Sequence, residues 1–212
     1  MKRYFNYLLL ALTMLTGTSA WAQNNESNTT IYDFTVQDMD LKPVSLSDYK
    51  GKVILVINSA IHSDFSAQYN DLQKMYYDFR DLGFEILDFP CNQFAGQAPE
   101  PDKEYHGLCV RNYSIQFQQF HKIDVNGENA IPLFTWLKSQ KMFQGFNPTH
   151  KRSIGLDKMM RQIDPQYSES ADIKWNFTKF LIGRDGKVLQ RFEPTDNMDV
   201  LYRVVKECVE KE

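Results

Sequence analysis

The sequence predicts one α/β domain with a mixed central sheet flanked by helices, and three stretches carry that prediction. Val53 to Ile57 is an unbroken apolar run rich in β-branched residues, the pattern of a central strand buried on both faces. A helical repeat of apolar residues follows, and Phe84 to Phe89 supplies a second strand. Strand, helix and strand in that order make a parallel βαβ unit with a right-handed crossover. Toward the C-terminus, Phe177 to Ile182 and Val188 to Phe192 flank Arg184-Asp185-Gly186, whose Asp-Gly pair signals an antiparallel hairpin.

The elements follow in chain order. Residues 1–22 read as a secretory signal peptide: Lys2 and Arg3 are a basic start, Tyr7 to Leu15 an apolar segment too short to span a bilayer, and Ala20-Trp21-Ala22 a small-residue cleavage pattern. Residues 23–30 are a polar spacer, and residues 31–212 form the domain. Ile31 to Val36 and Lys42 to Leu46 read as a short hairpin around Asp38-Met39-Asp40-Leu41. After the first central strand, Ser63, Asp64 and Ser66 offer N-cap side chains to a helix carrying Tyr69, Leu72, Met75, Tyr76 and Phe79, with Gly83 as its stop. Residues 141–172 are irregular, punctuated by Gly145, Pro148, Gly155 and Pro165, with a short helix around Leu156 to Ile163. The last helix places Val200, Leu201, Val204, Val205 and Cys208 on one stripe.

Of 212 residues, 24 are basic and 27 acidic. Loss of the leader with Lys2 and Arg3 leaves a net charge of −5 on 190 residues, the length of one domain with a sizeable core. No basic run points to nucleic acid, and cleavage leaves no stable membrane anchor, so the chain reads as exported: periplasmic or secreted. All three cysteines, Cys91, Cys109 and Cys208, lie beyond the leader, and an odd count leaves at least one thiol free or available to another chain. No His/Cys spacing resembles a zinc site.

Three motifs carry the chemistry. Gly51-Lys52-Val53-Ile54-Leu55-Val56-Ile57-Asn58 runs into Phe65-Ser66-Ala67-Gln68-Tyr69; then come Phe89-Pro90-Cys91-Asn92-Gln93-Phe94-Ala95-Gly96-Gln97 and Ile173-Lys174-Trp175-Asn176-Phe177-Thr178-Lys179-Phe180. Together they resemble the glutathione peroxidase family over about Ile31 to Val209. The resemblance implies a thioredoxin-like fold and thiol-dependent reduction of hydroperoxides, part of the oxidative-stress response. It implies no bound cofactor or metal, only a thiol reductant such as thioredoxin or glutathione as co-substrate. It also implies a site in which Gln97, Trp175 and Asn176 surround a peroxidatic cysteine or selenocysteine. That position is Ser63 here, and the following one, usually Gly, is Asp64.

Serine does not replace a thiol in this reaction. The thiolate is the nucleophile, and oxygen has no counterpart of the sulfenic acid it becomes. A carboxylate at Asp64 would oppose a neighbouring thiolate, whereas it suits the start of a helix. Cys109 stands in the segment where thioredoxin-dependent members carry a resolving cysteine, but its sulfur partner is missing and it reads as a small apolar helix residue. Cys91 reads as a semi-buried structural cysteine, with an inherited redox role, alone or paired with Cys109, as the alternative. Cys208 reads as core. His62, beside the vacated position, could act as a base or a metal ligand. The basic residues that bind glutathione in the tetrameric animal enzymes match no clean motif here, so a thioredoxin-like reductant fits better. Two readings of function stand: a family peroxidase whose activity is weak or lost, and a non-catalytic binding or partner protein on the same fold.

Overall fold

The computed structural model of the chain describes residues 28–211. The expected leader, residues 1–22, and residues 23–27 of the spacer lie outside the described residues. A five-stranded sheet runs in the order β5-β4-β3-β6-β7, from Gln118–Gln119, Phe84–Pro90, Val53–Ser59, Lys179–Ile182 and Val188–Phe192. β3 pairs parallel to β4 and β4 parallel to β5, whereas β3–β6 and β6–β7 are antiparallel. A separate small hairpin joins β1 (Thr35–Gln37) to β2 (Pro43–Ser45). The helices are α1 (Gln68–Phe79), α2 (Asp102–Tyr113), α3 (Pro132–Gln140), α4 (Ser153–Ile163) and α5 (Met198–Glu210).

The apolar run in β3 is buried on both faces because successive side chains alternate between two cores. Val53, Leu55 and Ile57 join Tyr69, Leu72, Met75 and Phe79 of α1 and Leu201 and Val205 of α5. Ile54 and Val56 join Leu133, Phe134 and Leu137 of α3 and Ile31 from the N-terminal segment. Cys109 belongs to the first core and Cys91 to the second. The Arg184-Asp185-Gly186 turn closes the β6–β7 hairpin; Gly186 has φ +80°, and a Cβ there would meet the Tyr32 ring at 2.6 Å.

Several expectations change in detail. The N-terminal hairpin is shorter than its sequence pattern, because Ile31–Asp33 coils into a 3₁₀ turn that buries Ile31. Phe177 and Thr178 precede β6, since Phe177 has φ +68° and cannot continue a strand. On α5, Val200 is 38% exposed and Cys208 only half-buried, and Leu201, Val205 and Val209 form the buried face. The helix within 141–172 begins earlier than expected, at Ser153.

Ser63 is the larger correction. It does not cap a helix: α1 starts at Gln68, after Ala67 with helical dihedrals and no side-chain cap. The chain from Ser63 to α1 instead makes successive tight turns, with Ser66 N donating to Ser63 O, Gln68 N to Phe65 O and Tyr69 N to Ser66 O. The Ser63 hydroxyl accepts the Phe65 N–H at 3.2 Å, a local turn that competes with an extended cap. Asp64 also fails to cap, because it finds a partner in residues 141–172.

Candidate active site

Three segments converge at the C-terminal ends of β3 and β4. The first leaves β3 through Asn58 and turns at Ala60 to Phe65, with Ser63 only 4% exposed. The second is the loop after β4, which reverses through Ala95 and Gly96 at φ +55° and +63° and presents Gln97. The third is Trp175-Asn176-Phe177, leading into β6. Backbone bonds knit them: His62 N donates to Gln97 O at 3.1 Å, and Phe177 N donates to Asn58 O at 2.7 Å. Asn58 Nδ2 donates to Trp175 O at 3.4 Å. Asn176 Nδ2 donates to Gln97 Oε1 at 3.0 Å, so two of the residues named from sequence touch directly.

Trp175 lines the same pocket as Asp64 and Phe65 and tilts against Phe94 at 5.9 Å. Among the described residues, neither Gln97, Trp175 nor Asn176 bonds to Ser63 Oγ. Asn176 Oδ1 is buried without a hydrogen-bond partner among them, an acceptor of a kind that folded proteins seldom leave unmet.

Two lysines missed by the sequence reading hold the third segment. Lys179 is fully buried and donates to Phe177 O at 2.6 Å and to Gln68 Oε1 at 2.7 Å. It thereby pins the left-handed residue beside Asn176 to the first turn of α1. Burial pulls its ammonium down to about 7, against the opposing charges of Asp196 and Glu193. Lys174, next to Trp175, sits 5.5 Å from the Phe143 ring and 5.8 Å from Tyr167, so residues 141–172 are tied to the site through a cation held by aromatics. The signal was present in the motif, where two lysines stand between buried aromatics and need partners.

Residues 141–172 also pack against the turn that follows Ser63. Arg152 Nη1 pairs with Asp64 Oδ2 at 2.5 Å, and His150 stacks on Phe65 with centroids 5.6 Å apart. The Asp64 carboxylate is therefore compensated, and its role is to seat the start of α4 against the Ser63 turn. His62 pairs with Glu100 and is half exposed, so the ring is engaged away from Ser63.

The cysteines are poorly placed for catalysis. Burial pushes the Cys91 thiol up to about 11. Burial, then the nearby Asp88 carboxyl, pushes Cys109 up to about 12. Both are fully buried, on opposite faces of the sheet, and neither is in a disulfide. Among the described residues no group of three His, Cys, Asp or Glu side chains could hold a metal ion.

Comparison with known proteins decides the family. The glutathione peroxidase family model matches residues 31–138. A glutathione peroxidase homolog of Neisseria meningitidis is 43% identical over 165 residues, covering 78% of this chain and 91% of that protein. The chain belongs to the glutathione peroxidase family. Other members include a glutathione peroxidase of Lactococcus lactis, 39% identical over 84% of this chain and 98% of its own length. A hydroperoxy fatty acid reductase of Synechocystis is 41% identical over 79% of this chain and 88% of its own. Among solved structures, T. cruzi GPX1 superposes with a TM-score of 0.62 at 31% identity, over 85% of this chain and 97% of that one. A thioredoxin family thiol:disulfide interchange protein of Chlorobium tepidum, 17% identical with a TM-score of 0.54 over 83% of this chain and 92% of its own, shares the fold alone. Glutathione peroxidases take a hydroperoxide and a thiol reductant as substrates and need no bound cofactor.

Proposed function

We propose that this glutathione peroxidase family member keeps the peroxidase cleft with weak or lost hydroperoxide turnover; the alternative reading is a non-catalytic binding or partner protein on the same fold. The observation that carries this is Ser63: the family's thiolate position holds a buried hydroxyl already engaged with Phe65 N–H. In the family reaction a thiolate attacks one peroxide oxygen, the O–O bond breaks, and sulfenic acid and an alcohol or water result. Ser63 supplies neither the thiolate nor the oxidisable atom. Rerouting through Cys91 or Cys109 is disfavoured, because both thiols are buried and held well above neutral pH.

The compartment belongs to the same proposal. The basic start, apolar segment and Ala-x-Ala pattern support export to the periplasm or medium, and a thioredoxin-like protein would be the reductant of any residual activity.

The test is restoration. The parent is expected to show negligible hydroperoxide consumption with thioredoxin or glutathione as donor, and Ser63→Cys with Asp64→Gly a measurable rate. Ser63→Cys alone should recover less. With Asp64 gone, the Arg152 guanidinium is freed beside the new thiol and favours its thiolate. Robust turnover by the parent, abolished by Cys91→Ser, would overturn this reading and make Cys91 the nucleophile.

A further inference from the structure

We propose that the buried polar cluster around Asp88 is a proton-operated latch for α2, holding the helix against the sheet while the carboxyl is protonated and loosening it once the proton leaves. Asp88 of β4 is fully buried, and its Oδ2 accepts from Tyr69 OH of α1 at 2.8 Å and from Gln119 Nε2 of β5 at 2.6 Å. Tyr105 OH of α2 lies 3.0 Å from both Tyr69 OH and the Ser59 Oγ of β3. His106, also of α2, meets Gln119 Oε1 at 2.7 Å through Nδ1, which is the donor because an amide oxygen only accepts. The Cys109 thiol borders the same cluster, where Asp88 opposes its ionisation and Gln119, Tyr69 and Tyr105 offer it hydrogen bonds.

The cluster bears on α2 more than on its other neighbours. The buried side chains of α2 are Tyr105 and Cys109, and both stand at Asp88, whereas α1 buries Tyr69, Leu72, Met75 and Phe79. Asp88 Oδ1 is buried without a partner among the described residues. The titratable groups facing Asp88 are Tyr69 from α1 and Tyr105, His106 and Cys109 from α2; β3 and β5 contribute the uncharged Ser59 and Gln119. Burial, then Asp88, holds both tyrosines above their usual range, so they stay protonated. Of these groups His106 alone can carry a positive charge, and it reaches Asp88 through Gln119. An ionised carboxyl there has too few donors, and moving α2 aside lets water reach Oδ1. Loss of the proton therefore favours the open helix. The motion reaches the site, because Tyr113 OH at the end of α2 donates to Ser66 Oγ at 3.0 Å.

The latch is measured without peroxide or reductant, so it stands or fails separately from turnover. Amide hydrogen exchange of the leaderless protein is followed from pH 4.5 to 7.5 and corrected for intrinsic chemical rates. Residues 102–113 are expected to exchange through an opening more frequent than the global unfolding that exposes β3. That opening should become at least about tenfold more frequent as pH rises across the window, since the closed form holds the Asp88 proton more tightly. Asp88→Asn should flatten the profile, and His106→Gln should leave it in place, which separates the carboxyl from the imidazole. Gln119→Leu removes one donor to the carboxylate and should move the rise to higher pH, a test that stands even if Asp88→Asn does not fold. Exchange of α2 only together with β3, a flat profile in the parent, a profile that survives Asp88→Asn or disappears in His106→Gln, or no displacement by Gln119→Leu overturns the proposal.

Discussion

Ser63 and Asp64 show how one residue changes the meaning of its neighbour. A carboxylate beside a thiolate works against it, but beside a hydroxyl it is free to recruit Arg152. A buried carboxyl, Asp88 of β4, makes the same point about environment. It is fully buried, accepts from Tyr69 OH at 2.8 Å and Gln119 Nε2 at 2.6 Å, and has one oxygen without a partner among the described residues. Burial raises it to about 6, above its usual 3.8, with the Ser59, Gln119 and Tyr69 hydrogen bonds opposing the rise. The folded state therefore holds this proton longer than the unfolded chain. Its contribution is complete below about pH 4 and is lost as pH rises through about 6, a change of roughly 3 kcal/mol. Asp88→Asn, which keeps an acceptor but cannot ionise, is expected to flatten stability between those limits. Urea denaturation of parent and variant across that window measures it, and parallel profiles would refute the assignment.

At the scale of elements, residues 141–172 behave as a cover anchored at several points. Phe143 and Tyr167 hold Lys174, Asn147 N donates to Thr195 Oγ1 at 2.9 Å, and Arg152 and His150 clasp Asp64 and Phe65. The clasp is half exposed and worth under about 1 kcal/mol, so its loss should loosen the cover without unfolding the domain. Arg152→Ala is expected to speed amide exchange at residues 62–67 and 150–156 with little change in Tm. Arg161→Ala, which breaks an exposed pair within α4, should leave residues 62–67 untouched. The β6–β7 hairpin is less forgiving. Gly186→Ala combines a left-handed backbone with a 2.6 Å approach to Tyr32, and a loss of about 1–3 kcal/mol is expected in thermal or urea unfolding.

At the scale of the whole molecule, one sheet buried on both faces carries the site at the ends of its parallel strands. Two cores brace the cleft from opposite sides, with α1 and α5 on one face and α3 on the other. Such a scaffold holds its geometry whether or not the nucleophile is present, which is why a restored thiol is expected to find Gln97 and Asn176 in contact. Processing belongs to this scale as well. N-terminal sequencing of the exported protein is expected to begin at Gln23, and a mature protein that retains residues 1–22 would contradict the export proposal.

Sequence by itself determined the β3–α1–β4 unit, the β6–β7 hairpin, the last helix, the double burial of β3 and the three motifs, but not β5 or α3. These rest on local periodicity and on fixed spacing, which neighbours along the chain express in full. It also placed a serine at position 63 beside Asp64, because that is a matter of residue type. The partners of Asp64, Lys174 and Lys179 were decided only by tertiary structure. Arg152 lies 88 positions from Asp64, and Gln68 lies 111 from Lys179. The shift of the α1 start from Ser63 to Gln68 was decided there too. A Ser-Asp-x-Ser run offers caps at several places, and the Ser63 hydroxyl is spent on Phe65 N–H while Asp64 turns outward to Arg152. Side chains that can satisfy either a local or a distant partner are settled by what the fold brings within reach.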